Sequence, residues 1–300
     1  MSYTETQKRN NKTYYYRSKS IKKKGKVSKK RIYLGTDLSK HEMRRLEEDA
    51  DKKLNNPLNL LLTKEQILKL EKIKRDFKKL PKASFNNRYE AFASQFTYNS
   101  NAIEGNTLNL QETAHILFEN RTPEGKSLRE INEVLNHKKA LDYILSYKED
   151  ISKAFVCKIQ EIVTKNTLPE DLQDQIGNYR TMQVYIRGSK TMPSKPIEIP
   201  MEMRTLTRWY NANKKTLHPL ILTAYFHSAF EGIHPFADGN GRTGRLLLNF
   251  ILHKNEFPMI NIPNEKKLQY FTCLEDAQVR DNFHPIVLFL LKSILGERYI

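Results

Sequence analysis

Cysteine and long apolar runs are scarce in this chain. Cys157 and Cys273 are its two cysteines, which leaves no disulfide framework and indicates a reducing compartment. The longest apolar runs, such as Ile286 to Leu291, fall far short of the roughly 20 residues that a membrane-spanning helix needs. The N-terminus is polar and basic, and no apolar signal core follows it. These absences predict a soluble, cytoplasmic protein that does not contact membranes.

Acidic residues are also few, and the deficit is concentrated at the N-terminus. The chain has 51 Lys or Arg residues against 34 Asp or Glu residues, a formal net charge of +17. Residues 1–34 hold 12 of the basic residues and a single acid, Glu5, so this segment carries +11 and the rest of the chain only +6. Such a segment either binds nucleic acid or an acidic partner, or is a solvated arm. The composition leaves both interpretations open.

Local patterns divide the chain at Asn55-Asn56-Pro57. Residues 13–34 are rich in Tyr, Ile and Val around a Lys-Lys-Gly-Lys tip, which predicts a two-stranded hairpin, and a charged helix is expected at 39–54. We therefore expect an N-terminal hairpin and helix segment at 1–56 and a single domain at 57–300.

The domain at 57–300 is predicted to be mainly helical. Apolar residues recur there at helical spacing, and the pair Ser127 and Glu130 forms a capping-box pattern. Further helices are predicted at 152–166, 201–213, 219–231, 243–254, 265–277 and 284–295. The exception is 183–199, where the β-prone run Val184, Tyr185, Ile186 precedes Arg187-Gly188 and predicts a short hairpin.

A glycine-rich stretch at Gly239-Asn240-Gly241 is suited to binding an anion. Glycine permits backbone conformations in which successive N–H groups converge, and the start of a helix, expected near Thr243, adds free N–H groups and a positive dipole end. Arg242 and Arg245 are three residues apart and are expected on one helix face, where two guanidinium groups suit a polyphosphate.

Two further groups flank this stretch. Asp238 could hold a Mg²⁺ ion bound to phosphate. His234 can accept a proton near neutral pH. Together with the glycines and arginines, these residues predict phosphoryl or nucleotidyl transfer.

Other interpretations of the same residues are less consistent with their surroundings. Gly239 to Gly244 also matches G-x-G-x-x-G, but a dinucleotide site requires that string after a strand in a βαβ unit, and the neighbouring segments are helical. The Walker pattern and the kinase HRD loop do not occur in the sequence. Three His-Pro pairs begin at His218, His234 and His284, and such pairs usually mark helix boundaries. Only the pair at His234 is followed by an anion-binding pattern.

The string HPFADGNGRTGR, from His234 to Arg245, resembles the Fic family motif HPFx[D/E]GNGRxxR and matches it at every fixed position. The resemblance extends over roughly residues 60–300. Gly177 to Arg180 and the segment after Val184 resemble the flap of the family. Its C-terminal helical pattern is similar to Tyr270, Leu274, Ala277 and Pro285. The implied fold is mainly α, a Fic-type helical bundle with a β-hairpin flap, preceded here by a small basic hairpin.

The resemblance implies a protein adenylyltransferase, which moves AMP from ATP to a Ser, Thr or Tyr hydroxyl of a target protein. His234 would take the hydroxyl proton, Asp238 would hold Mg²⁺, and Arg245 would meet the γ-phosphate. The residues implied to bind ATP are Asp238, Gly239, Asn240, Gly241, Arg242, Thr243, Gly244, Arg245, Tyr270 and Gln278. The flap residues implied to hold the target by strand addition are Val184, Tyr185, Ile186 and Arg187.

A second match concerns inhibition. Ser100 to Gly105 fits the family pattern [S/T]xxxE[G/N]; taken alone it indicates only a helix end with a glycine cap. The resemblance implies that Ser100 and Glu104 form an inhibitory motif in which Glu104 engages Arg245. Three alternatives stay open: a hydrolase that removes AMP, a nucleic-acid-binding regulator that uses residues 1–34, and a nucleotide other than ATP. A homodimer is a further expectation.

Overall fold

The computed structural model describes residues 2–23 and 26–296 of the chain. Within these ranges it contains three β-strands and eleven α-helices, which confirms the mainly α prediction. The chain divides into two compact units, Met1–Thr63 and Lys64–Ile300. Within the described residues, no helix is both long and apolar enough to cross a membrane.

The N-terminal unit contains three strands and one helix. They are β1 (Ser2–Arg9), β2 (Lys12–Lys23), β3 (Lys26–Thr36) and α1 (Lys40–Asn55). The three strands form one antiparallel sheet in the order β1-β2-β3. The prediction of a two-stranded hairpin was incomplete, because β1 pairs with β2 from Ser2 opposite Lys19 to Arg9 opposite Lys12.

The turn between β1 and β2 explains the missed strand. Asn10 and Asn11 have φ angles of 49° and 60°, the left-handed conformation required at both central positions of a type I′ hairpin turn. Asparagine tolerates this conformation better than most residues, so the signal was present in the sequence. Residues 24 and 25 of the predicted Lys-Lys-Gly-Lys tip lie outside the described residues.

The second unit is a helical bundle. Its helices are α2 (Lys64–Lys78), α3 (Phe85–Ile103), α4 (Leu110–Phe118), α5 (Leu128–Ser146), α6 (Lys153–Thr164), α7 (Ile199–Asn213), α8 (Pro219–Ile233), α9 (Asn240–Lys254), α10 (Lys267–Arg280) and α11 (His284–Gly296). Two adjacent helices form its centre: eleven of the 15 residues of α8 and 12 of the 15 residues of α9 are buried. A helix buried on nearly every side belongs to the core. The loop between α8 and α9 is therefore fixed at both ends.

Helix ends follow several of the sequence signals. Ser127 and Glu130 form the predicted capping box at the start of α5. Of the three His-Pro pairs, His218 caps the N-terminus of α8 and His284 begins α11, as expected for plain helix boundaries. His234 differs, because it ends α8 instead of beginning a helix.

The segment predicted as a flap hairpin is not a hairpin in the structure. Residues 181–195 contain a turn, in which the Ser189 N–H donates to the Ile186 carbonyl at 3.2 Å, but no strand pairing. The two arms are instead braced by the Gln183 side chain, which donates to the Val184 and Pro193 carbonyls at 3.2 Å each. Pro193 has no N–H to donate, which limits a regular ladder on that arm. The backbone of this flap therefore keeps unpaired hydrogen-bonding groups.

Candidate active site

The loop from His234 to Gly239 joins the two most buried helices. His234 has a φ of 52° and ends α8, while Gly239 has a φ of 79° and precedes α9. The side chain of Asn240 holds the loop closed, because it accepts from the Phe236 N–H at 2.9 Å and donates to the Phe236 carbonyl at 2.8 Å. Helix α9 thus begins at Asn240, three residues earlier than the predicted start at Thr243. The glycine and the asparagine of the motif shape the loop.

This early start places the free N–H groups of α9 within the motif itself. The first N–H groups of an α-helix have no partner inside the helix and carry its positive dipole end. A Cβ atom at Gly241 would overlap the carboxylate of Glu104 and crowd the guanidinium of Arg245. The carboxylate of Glu104 therefore lies over the first turn of α9, where an anion is favoured, and only glycine allows this approach.

Arg245 forms the second side of this anion site. It is 1% exposed, and its guanidinium reaches across to α3 and to the residue that caps that helix. Its Nε donates to Ser100 Oγ at 2.9 Å, and its Nη2 donates to the Ser100 carbonyl at 2.7 Å and to Glu104 Oε1 at 2.8 Å. The contact between Glu104 and Arg245 implied by the sequence is thus present, with Ser100 as an additional partner.

Arg242 has carboxylate partners of its own, different from the partner of Arg245. Its Nη1 lies 3.4 Å from Glu133 Oε1 on α5, and its Nη2 lies 3.5 Å from Asp238 Oδ1. The side chain is only 2% exposed. The two arginines thus pair with different carboxylates, and Arg242 is tied to the loop that carries Asp238.

Asp238 keeps a partly exposed carboxylate, 36% accessible. Its Oδ1 accepts from the Gly239 N–H at 2.6 Å, and its Oδ2 lies 3.8 Å from Arg129 Nη2. Among the described residues, no three His, Cys, Asp or Glu side chains form a group that could hold a metal ion by themselves. A Mg²⁺ ion at Asp238 would therefore need phosphate oxygens and water as its other ligands, which is the usual arrangement for this ion.

Contacts from Glu231 and Arg180 hold His234 in place. Its Nδ1 lies 3.3 Å from the Glu231 carbonyl, and this contact favours the tautomer with the proton on Nδ1 and a free lone pair on Nε2. Burial lowers the pKa of His234, an effect partly opposed by its contact with the Glu231 carbonyl. The imidazole is therefore neutral near pH 7, the state required of a general base.

Arg180 fixes the backbone of the same histidine, and the sequence patterns did not predict its part in the site. Its side chain, 2% exposed, donates through Nε to the His234 carbonyl at 2.8 Å, through Nη1 to the Met182 carbonyl at 2.8 Å and through Nη2 to the Ser194 carbonyl at 2.5 Å. Its own N–H donates to the Pro235 carbonyl at 2.9 Å. Arg180 thus joins both arms of the flap to the loop that carries His234. The sequence showed only an arginine at the end of the stretch that begins at Gly177. It did not indicate which residues this arginine would bond.

The flap is also anchored at its tip. Glu275 on α10 accepts from Ser189 Oγ at 3.1 Å and from the Lys190 N–H at 2.9 Å. Tyr185 is 74% exposed on the flap, and Arg187 is exposed as well, whereas Val184 and Ile186 are partly buried. The four flap residues named from the sequence thus lie on one segment with alternating exposure.

A cavity of about 470 Å³ lies between the flap, α8 and α10. Gln278 lines it, together with Thr191 and Gly232. The Gln278 amide is already engaged, because Oε1 accepts from Thr191 Oγ1 at 2.7 Å and Nε2 donates to the Ser228 carbonyl at 3.1 Å. Gly232 directly precedes Ile233 and His234, so the cavity adjoins the motif loop.

Tyr270 does not line this cavity. It is fully buried, and its hydroxyl lies 2.6 Å from His227 Nε2. The neighbouring Phe271 is 40% exposed. Tyr270, expected from the resemblance to line a nucleobase pocket, is therefore not on the surface of this cavity, because its side chain faces α8.

Beneath the loop lies a buried acid that sequence reasoning passed over. Glu231 is one helical turn before His234, its Oε1 has no hydrogen-bond partner, and a Cβ atom at Gly244 would collide with it. Burial raises the pKa of Glu231 to about 8, although the charge of Arg245 acts in the opposite direction. A glutamate within the apolar stretch of α8 was the only sequence signal. Thr243 beside it on α9 is also fully buried and contributes to the core.

One further residue supports the loop from below. Gln160 on α6 donates through Nε2 to the Asp238 carbonyl at 3.1 Å and accepts through Oε1 from the Gly177 N–H at 2.6 Å. Its side chain is buried. Gln160 therefore ties the stretch before Arg180 to the motif loop. Because its partners are 17 and 78 residues away in the sequence, local patterns could not reveal it.

Comparison with known proteins points to the same region. Residues 150–252 match the model of the Fic/DOC family. Protein adenylyltransferase Fic of Drosophila melanogaster is 36% identical over 200 residues, which is 65% of this chain and 39% of that protein. The chain thus spans about two fifths of the length of the curated relatives that it matches.

Solved structures agree in fold. A Fic domain containing signaling protein from Bacteroides thetaiotaomicron aligns with a TM-score of 0.70 and 28% identity, over 77% of this chain and 94% of that one. Fic-1 of C. elegans, residues 134–508, aligns with a TM-score of 0.69 and 28% identity, over 87% and 76% of the two chains. Residues 150–252 of this chain therefore match the Fic/DOC family, and its helical unit resembles solved Fic-domain structures in fold.

Proposed function

We propose that this protein transfers AMP from ATP to a hydroxyl group of a target protein and that Glu104 restrains the transfer. One observation carries the proposal: the first turn of α9 and the buried Arg245 form an anion site, and the carboxylate of Glu104 already lies in it. A neutral histidine, His234, lies directly before this site in the same loop. The name of the Drosophila relatives, protein adenylyltransferase Fic, supports the same reaction class.

The proposed reaction is a displacement at the α-phosphorus of ATP. The target hydroxyl loses its proton to His234 Nε2, and its oxygen forms a bond to the α-phosphorus. The bond from that phosphorus to the bridging oxygen breaks, and pyrophosphate leaves. The N–H groups of Gly241 and its neighbours stabilise the charge on the phosphates, because they are held in the first turn of α9 and have no partner inside the helix.

A magnesium ion fits this reaction as an ion bound together with the nucleotide, not as one held by the protein alone. The partly exposed carboxylate of Asp238, supported by Arg242, would supply one ligand. Mg²⁺ usually keeps several waters and binds through one or two carboxylates and the phosphates of the substrate. Its chemistry would be to neutralise phosphate charge during departure of pyrophosphate.

The flap is proposed to bind the target. Its backbone lacks a strand partner between Gln183 and Ile186, and an extended peptide can pair with such groups by strand addition. Exposed Tyr185 adds apolar surface at the same place. The cavity lined by Gln278 and Gly232 is proposed to receive the nucleobase, since it adjoins His234 and has a volume suited to part of a nucleotide.

The restraint follows from the geometry of Arg245. A guanidinium whose Nη2 is held by Glu104 and Ser100 is not free to orient a γ-phosphate, and the Glu104 carboxylate repels phosphate charge from the start of α9. Removing Glu104 would free both groups. The residue is 37% exposed, so it can leave the site without unfolding α3.

The test uses ATP labelled at the α-phosphate, with the purified protein and with cell lysate. The wild type should transfer little label, Glu104→Gly should transfer clearly more, and the double variant with His234→Ala should transfer none. The matched control is Glu124→Gly, which makes the same change at an exposed turn and should behave as wild type.

The outcomes separate the alternatives. No transfer by Glu104→Gly to any protein would overturn the proposal. Release of AMP from a modified protein by the wild type, abolished in Glu104→Gly, would identify a hydrolase in which Glu104 positions water. Equal transfer by the wild type and Glu104→Gly would contradict the proposed restraint by Glu104 but would still support the proposed transfer activity.

A further inference from the structure

The N-terminal sheet has two chemically different faces. Helix α1 covers one of them: Arg17 on β2 donates to Asp51 of α1 at 2.8 Å and 2.7 Å, and Thr4 on β1 contacts Glu47 of α1. Leu34 on β3 is buried on this side as well. Because side chains alternate along a strand, the residues between these positions lie on the opposite face.

The opposite face carries tyrosines and basic residues. Arg31 lies 4.1 Å above the ring of Tyr16, and the ring of Tyr33 lies 5.3 Å from that of Tyr16. Lys29 pairs with Glu5 and lies 5.7 Å above the ring of Tyr3. Its exposed members in the described sheet are Tyr3, Arg9, Lys12, Ser20, Val27, Lys29, Arg31 and Tyr33. We call this surface the open face.

Charge is distributed unequally between sheet and helix. The strand region, residues 2–36, holds 12 basic residues and one acidic residue, whereas α1 holds five of each. The helix therefore adds no net charge, and it supplies the carboxylates that neutralise Arg17 on the covered face. The excess charge of +11 belongs to the strands, and on the open face Glu5 is the one acid.

We propose that the open face binds duplex DNA through its phosphates. Three strands spaced about 4.8 Å apart place the two outer strand axes about 10 Å apart, close to the width of a major groove, about 12 Å. Sheets are used in this way by known classes of DNA-binding protein. The deep, narrow major groove of A-form RNA would not admit such a sheet.

The side chains of the open face match the chemistry of a phosphate backbone. Arginine and lysine neutralise phosphates, and tyrosine hydroxyl groups donate to phosphate oxygens. The stacking of Arg31 on Tyr16 holds the guanidinium in place before binding, which lowers the entropy cost of association. Arg9 and Lys12 lie directly opposite each other at one end of the sheet and extend the basic surface.

The experiment measures binding of the full chain to a fluorescein-labelled 20-base-pair duplex by anisotropy over a series of salt concentrations. The wild type should bind with an affinity that falls steeply with salt. The triple variant Arg9→Ala, Lys12→Ala, Arg31→Ala should bind more weakly. Its log–log salt slope should be smaller by about two to three, since each phosphate that is no longer neutralised lowers the slope by about 0.9. The variant Arg9→Lys, Arg31→Lys should keep the wild-type slope.

The matched control removes three exposed basic residues from the helical unit: Lys69→Ala, Arg121→Ala, Lys158→Ala. It should leave the slope unchanged. An unchanged slope in the triple variant of the open face would overturn the proposal. So would equal or tighter binding to an RNA duplex, to phosphatidylserine vesicles or to a poly-glutamate peptide. His234→Ala should bind DNA as the wild type does, so this test does not depend on the proposed transfer activity.

Discussion

The buried glutamate beneath the motif loop offers a quantitative test of the site. Glu231 has a pKa of about 8, far above the ordinary value of 4.5, because burial disfavours its charged form. The folded protein therefore keeps a proton that the unfolded chain has already released between these two pH values. Unfolding releases that proton, so stability falls as pH rises from about 4.5 to about 8 and is unaffected by this group below that window.

The size of the effect follows from the two values. Each pH unit between them is worth about 1.36 kcal/mol, so Glu231 should cost the fold about 3 kcal/mol between pH 5 and pH 7.5. Glu231→Gln has nearly the same shape and does not titrate. The free energy of unfolding of the variant should therefore fall by about 3 kcal/mol less than that of the wild type over this range. Any effect of the amide on stability that is independent of pH leaves this difference unchanged.

The assay is urea unfolding of both proteins at several pH values from 5 to 8.5. The difference between them is the informative quantity, because the buried His227 and His218, whose pKa values are lowered by burial to about 3 and about 4, titrate in both. Glu124→Gln, which alters an exposed glutamate on a turn, is the control and should track the wild type. A difference that does not change with pH would show that Glu231 is not a buried, protonated acid.

Three further substitutions probe the motif itself. His234→Ala should lower transfer by about 10² to 10⁴ while ATP affinity, measured by calorimetry, stays nearly constant, because the imidazole acts on the hydroxyl and not on the phosphates. Asp238→Ala should remove the Mg²⁺ dependence of ATP binding, and wild-type binding that ignores Mg²⁺ would contradict this role. Glu104→Gly should lower the melting temperature of the protein without nucleotide, since Arg245 loses its carboxylate, and MgATP should restore it. Equal melting temperatures with and without MgATP would exclude ATP as the replacement anion.

Sequence predicted the motif loop well because its shape depends on neighbouring residues. Gly239 turns the chain through its left-handed conformation, and Asn240 closes the loop through Phe236, four residues away. The contact between Glu104 and Arg245 was also predictable, since the match at Ser100 to Gly105 and the motif ending at Arg245 named both residues. In each case a short string encodes the geometry.

Other features depend on contacts that no short string contains. Arg242 pairs with Glu133, which lies over 100 residues earlier in the chain. Tyr270 is buried with its hydroxyl against His227, 43 residues away. These outcomes depend on how helices pack, which periodicity alone does not specify.

The hydrogen bonds of Arg180 connect the flap to the loop that carries His234. A single guanidinium holds the Met182 and Ser194 carbonyls on the two arms of the flap and the His234 carbonyl on the motif loop. A peptide that displaces either arm must therefore strain or break a bond to Arg180, which also holds the carbonyl of His234, the proposed proton acceptor. The position of the target hydroxyl and the orientation of the imidazole therefore depend on the same residue, Arg180. A peptide that fits the flap poorly would also disturb the position of His234.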